Sequence, residues 1–78
     1  MSDTVNDLKS HDTTVTRLIL ILSKLDEDER PTQNELAREF GVSLRTIQRD
    51  IGRLLYFPIE KTGDGKLFFT EGFSLKRT

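Results

Sequence analysis

The chain has 78 residues, 35 % apolar and 32 % charged, with 13 acidic against 12 basic side chains and a formal net charge of −1. That length allows one small domain; with no cysteine and no tryptophan, its core has to come from aliphatic residues and five phenylalanines, without a disulfide or a cysteine-ligated metal. The longest apolar run, Leu18 to Leu22, is far short of the roughly 20 residues of a membrane span, and the polar N-terminus lacks the apolar stretch of a signal peptide, so a cytoplasmic location is expected.

Charge is unevenly placed. Residues 1–30 carry four basic and seven acidic side chains, residues 31–78 eight basic and six acidic, which makes the second half the candidate binding half. Residues 1–11 are polar and aperiodic and read as a flexible arm. His11, the sole histidine, has no second histidine or cysteine with which to hold a metal.

From Asp12 or Thr13, either able to cap a helix, the residues Val15, Leu18, Ile19, Leu22 and Leu25 keep the spacing of an amphipathic helix. Leu20 and Ile21 lie beside that stripe and widen it. This points to cover on two sides, by the domain itself or by a partner subunit, and the first is the preferred reading. The acidic cluster from Asp26 to Glu29 ends the helix in a solvated loop, and Pro31 turns Arg30 away from helical dihedrals.

Thr32-Gln33-Asn34-Glu35 has the form of a capping box, so a second helix begins there. It carries Leu36, Ala37 and Phe40 and stops at Gly41. Ser43 then caps a third helix over residues 44–55, with Leu44, Ile47, Ile51, Leu54 and Leu55 on one face and Arg45, Thr46, Gln48, Arg49, Gly52 and Arg53 on the other. Beyond it, Tyr56-Phe57-Pro58-Ile59 and Leu67-Phe68-Phe69-Thr70 flank the turn Thr62-Gly63-Asp64-Gly65, a β-hairpin with Lys61 and Lys66 beside its tip. Phe73 and Leu75 are expected to fold back onto the core, leaving 76–78 as a loose end. The expected fold is mostly α with a small β-hairpin, a three-helix core plus wing over residues 12–75.

Ala37 four before Gly41, Val42 in the turn, Ser43 as cap and Ile47 as seat fall at the offsets of a helix-turn-helix. An ordinary helical hairpin needs the same packing but not three arginines on the outer face of its second helix. The run Gly41-Val42-Ser43-Leu44-Arg45-Thr46-Ile47-Gln48-Arg49-Asp50-Ile51 resembles the G-V-S-x-R-T-I-x-R-D-[IL] signature of DeoR-type winged helix-turn-helix repressors, in the variant found in WYL-domain transcriptional regulators. The similarity runs from about Thr16 to Leu75 and includes Glu35-Leu36-Ala37 and the closing Gly72-Phe73-Ser74-Leu75. It implies double-stranded DNA as ligand, bound as a homodimer on an inverted-repeat operator, with repression preferred over activation. Those regulators carry a large C-terminal sensor region, so the 78 residues correspond either to a DNA-binding fragment of a longer regulator or to a small stand-alone relative.

A major groove about 12 Å wide admits one helix, whose first residues face base edges. Leu44, Arg45, Gln48 and Arg49 are therefore the expected base contacts: arginine pairs with guanine, Gln48 with adenine, and Leu44 touches a thymine methyl. Thr32, Ser43, Thr46, Arg53, Lys61 and Lys66 are the expected phosphate contacts. Asp50 would repel phosphate, so it is expected to turn away and hold Arg53 or Arg17. The sequence has no P-loop, no G-x-G-x-x-G and no nucleophile–base set, so neither an enzyme nor a cofactor is expected.

Two other partner classes draw on the same domain. A protein-interaction module would dock through the wide apolar face of the first helix or through the aromatic hairpin, using Leu20, Ile21 or Phe69. Single-stranded nucleic acid would stack on Tyr56, Phe68 and Phe69, although these aromatics are expected instead to build the core under the wing.

Overall fold

The computed structural model describes residues 13–75. The expected arm at 1–11, a cap at Asp12 and the end at 76–78 lie outside the described residues. Three helices precede a hairpin: α1 (Thr13–Asp26), α2 (Gln33–Phe40), α3 (Leu44–Arg53), β1 (Ile59–Lys61) and β2 (Leu67–Phe69). This is the expected mostly helical fold with a two-stranded wing.

Local chemistry sets the boundaries of α2 and α3. The Glu35 amide donates to Thr32 Oγ1 at 3.0 Å and the Thr32 amide donates to Glu35 Oε1 at 2.9 Å, so the capping box closes in both directions. Gly41 ends α2 at φ +66°, where a side chain would be strained, and the Val42 amide returns to the Ala37 carbonyl. Ser43 then caps α3 by accepting the Thr46 amide at 3.1 Å.

Ile21 and Leu25 of α1, Leu36 of α2, Ile47 of α3, Leu54, and Leu67 and Phe69 of β2 form the core. Ala37 and Val42 pack against it as the helix-turn-helix offsets require, and Ile51 packs there too. Phe73 does fold back, meeting Phe69 edge-on at 4.8 Å. Leu75 stays exposed, although its amide is held by Asp26 Oδ1 at 2.7 Å.

The face of α1 corrects the sequence expectation. Ile21 sits at the centre of the core, whereas Val15, Ile19 and Leu20 are exposed. The inward stripe is Arg17, Ile21 and Leu25, flanked by the half-buried Leu18 and Leu22. An arginine occupies a core position because it has a buried partner, described below. The third helix also ends early: it stops at Arg53, and the chain turns at Leu54 towards the wing, leaving Leu55 74 % exposed instead of on the apolar face. Strands are correspondingly shorter than the aromatic runs, with Tyr56, Phe57 and Pro58 lying ahead of β1.

The acidic loop is built more tightly than a plain solvated link. Asp28 and Arg30 both take left-handed backbone angles, at φ +60° and +56°. Their side chains pair at 2.7 Å, and the Arg30 guanidinium lies 4.7 Å over the Phe68 ring. No helix among the described residues is long and apolar enough to cross a membrane.

Candidate nucleic-acid interface

Successive residues of α3 step by about 100°. With Ile47 and Asp50 buried and Ile51 half-buried, Arg45, Gln48 and Arg49 stand on the opposite side, all exposed. Arg45, Gln48 and Arg49 therefore share the outer surface of the first two turns, with no acidic side chain among them, and Leu44 is exposed at the helix start on the side of Ile47 and Ile51.

Asp50 is fully buried and carries a complete set of donors. Arg17 Nε donates to Oδ2, Arg17 Nη2 to Oδ1 at 3.2 Å, and Arg53 Nη1 to the same Oδ1 at 3.1 Å. Arg17 is itself buried, and the Asp50 hydrogen bond holds its guanidinium above the ordinary value against the opposing effect of burial. The carboxylate thus turns from the outer face, as its place in a basic helix demands, and holds both of the arginines expected as its partners.

The wing brings three of the expected phosphate contacts, Thr32, Lys61 and Lys66, together at one end. Ile59 pairs with Phe69, Glu60 with Phe68 and Lys61 with Leu67 in antiparallel register. Lys66 forms an isolated bridge with Thr32, and the Leu67 amide donates to the Pro31 carbonyl at 2.9 Å. The chain leading into α2 therefore lies along β2. A groove of about 210 Å³ opens between the two, lined by Thr32, Gln33, Asn34, Leu44, Lys61 and the turn residues Asp64 and Gly65.

The hydroxyls have structural commitments. Thr32 Oγ1 and Ser43 Oγ each accept a helix amide, and Ser43 Oγ and Thr46 Oγ1 lie 3.0 Å apart. A hydroxyl that accepts still has a proton to donate, so capping and phosphate binding are compatible at Thr32, whereas one of Ser43 and Thr46 spends its proton on the other and one keeps it free. Asp64 accepts from the Thr62 hydroxyl, which holds its carboxyl below the ordinary value and keeps one negative charge at the wing tip.

Arg53 stands apart from this group. It lies at the C-terminal end of α3, half-exposed, with its guanidinium drawn back to Asp50. Gln33 and Asn34, absent from the expected set, line the groove beside Leu44, and Arg38 lines a second shallow depression with Asn34, Val42 and Leu44. Their signal in the sequence was position: Gln33 and Asn34 are the first residues after the Thr32 cap, where backbone amides point outward.

The aromatic alternatives fare differently. Phe69 is buried, Phe68 is covered by Arg30, and Tyr56, 99 % exposed, stands without a ring neighbour among the described residues. Ile21 and Phe69 are accordingly unavailable for docking a protein, and Leu20 is the exposed member of that set.

A family model described as an HTH domain matches residues 17–63, from Arg17 in α1 to the turn of the wing. No curated protein and no solved structure matches the chain.

Proposed function

The chain belongs to the HTH, or helix-turn-helix, domain family, and from that premise we propose that it binds double-stranded DNA in a sequence-specific way as the DNA-binding domain of a transcription regulator. The observation that carries this reading is the outer face of α3: Arg45, Gln48 and Arg49 are exposed together, opposite a buried Ile47 and Asp50. In the major groove these side chains and Leu44 read bases. Thr32, Ser43, Thr46, Lys61 and Lys66 contact phosphates on the flank, with Gln33 and Asn34 beside them, and Arg53 does so from the far end of the helix.

The finer reading follows the DeoR-type and WYL-regulator signature over Gly41 to Ile51: a cytoplasmic repressor acting as a homodimer on an inverted repeat. Val15, Ile19 and Leu20 give α1 an exposed apolar face for self-association. One domain with this few cations binds DNA weakly, and a second copy raises the effective affinity through linkage.

The exposed face of α1 favours one second reading, a protein-interaction module. The deciding experiment is fluorescence anisotropy of a labelled random-sequence duplex pool, with sequencing of the bound fraction, for wild type and Arg45→Ala/Arg49→Ala. Binding that weakens with salt, falls in the double variant and enriches an inverted repeat is the expected result. A folded protein that binds no duplex even at low salt, and whose association with a protein survives high salt but fails in Leu20→Asp, selects the second reading.

A further inference from the structure

The charged pair at the centre of the domain has a directional geometry that the apolar core lacks. Ile47, Ile51 and Leu54 seat α3 by apolar packing, which has no preferred direction. The Arg17 guanidinium meets the Asp50 carboxylate through two nitrogens, and this planar fork tolerates little rotation. A helix is about 10–12 Å across with its side chains, so a roll of about 20° displaces their tips by about 2 Å. That is enough to break one arm of the fork. It is also enough to move Arg45, Gln48 and Arg49 off the base edges they are aimed at.

We propose that Arg17 and Asp50 are positioning residues for base recognition: their pair fixes the roll of α3 against α1, and so determines which side chains face the groove. The proposal rests on the DNA-binding reading and adds to it the origin of sequence discrimination. Arg53 belongs to the same device. The carboxylate that orients α3 also accepts from Arg53 at 3.1 Å, which couples the far-end phosphate contact to the helix roll. The pair joins residues 33 positions apart, linking the first helix to the third without passing through the turn.

A purely structural role makes a different prediction. Replacing a buried ion pair by apolar side chains of similar volume is often neutral or stabilising, so Arg17→Met/Asp50→Leu separates packing from orientation. The expected protein is folded by circular dichroism and melts within about 5 °C of wild type or above it. It binds the random duplex pool at low salt as tightly as wild type or more tightly, because the exposed lysines and arginines remain and Arg53 has lost its acidic partner. Its preference for the best duplex selected by wild type over the random pool falls by about tenfold or more, comparable to losing one well-made base contact.

Arg17→Lys is the second variant, keeping the charge and removing the fork. A several-fold fall in the same preference, with random-pool affinity little changed, is the expected outcome, and this variant decides the matter if the double variant does not fold. Selection of the same duplex with the same preference by both folded variants, or by Arg17→Lys alone in that case, overturns the positioning role and leaves the DNA-binding reading standing. A folded wild type that binds no duplex overturns both.

Discussion

Thr32 and Lys66 face each other across an isolated antiparallel bridge, so the entry to α2 and the start of β2 are one continuous surface. The wing is anchored to the helix-turn-helix by backbone, with the Leu67 amide donating to the Pro31 carbonyl at 2.9 Å. Side chains on the two elements are consequently held in fixed relation to one another.

The first prediction concerns that surface. Lys61→Ala/Lys66→Ala removes two of the proposed phosphate contacts and leaves the core untouched, since both side chains are exposed. Affinity for duplex DNA is expected to fall nearly equally for all sequences, and the slope of log affinity against log salt to become shallower by about 1 for each lysine that contacts phosphate. Anisotropy titrations at three or more salt concentrations measure it; an unchanged slope would remove the wing from the footprint.

Position along α1 gives the second. Ile21→Ala opens a cavity at a fully buried site and should cost about 2–5 kcal/mol, a large part of the stability of a domain this small. Leu20→Ala, one residue away and exposed, should change stability by no more than about 0.5 kcal/mol. Urea denaturation of both proteins provides the comparison.

These neighbours show where the sequence was legible and where it was not. Thr32, Gly41 and Ser43 act within a few residues of themselves, so their chemistry could be read directly, and the turn between α2 and α3 and the exposed arginines of α3 came with them. The inward face of α1 depends on a contact 33 residues away. Arg17 counts as polar in any hydrophobic period, and with it set outside, the stripe through Val15 and Ile19 looked the better one. Only the buried carboxylate of Asp50 makes Arg17 part of the interior and rolls the helix accordingly. Leu55 misled for another reason: Leu54 does reach the core, but a further leucine continues the apolar pattern while the chain is already turning towards β1. Gln33 and Asn34 became visible as groove residues once the wing was seen to lie beside them.

A third prediction tests the turn. Gly41 has open space where a side chain would go, so Gly41→Ala is opposed by backbone strain at φ +66° alone. The expected cost is about 1–2 kcal/mol, a fall of roughly 4–16 °C in melting temperature for a domain of this size. Gly41→Asn should lose less, because asparagine enters the left-handed region more readily.

The fourth is a dependence on pH. Lys24 of α1 reaches Glu39 of α2 at 2.7 Å and Glu29 at 3.5 Å, and the Glu39 hydrogen bond, outweighing desolvation, raises its pKa above the ordinary 10.5. A raised amine stabilises the fold fully below the unfolded value and loses that contribution as pH rises through the folded one. Lys24→Met should therefore be less stable than wild type by a constant amount from pH 6 to 9, about 0.5 kcal/mol given the exposure of both carboxylates. Melting curves collected up to pH 11 should show the gap closing at the alkaline end; a gap that closes below pH 9 contradicts the assignment.

The bridge between Thr32 and Lys66 also bears on how the molecule behaves in company. β2 has β1 on one side and the Pro31–Thr32 segment on the other, so its hydrogen-bonding edges are occupied. What remains open is the outer edge of β1, three residues long, preceded by Pro58 and carrying the exposed charges of Glu60 and Lys61. A short, charged, proline-guarded edge is a poor template for another strand. At high concentration the domain should resist sheet-to-sheet polymerisation, since its exposed apolar side chains Val15, Ile19 and Leu20 lie on a helix and not on a strand edge.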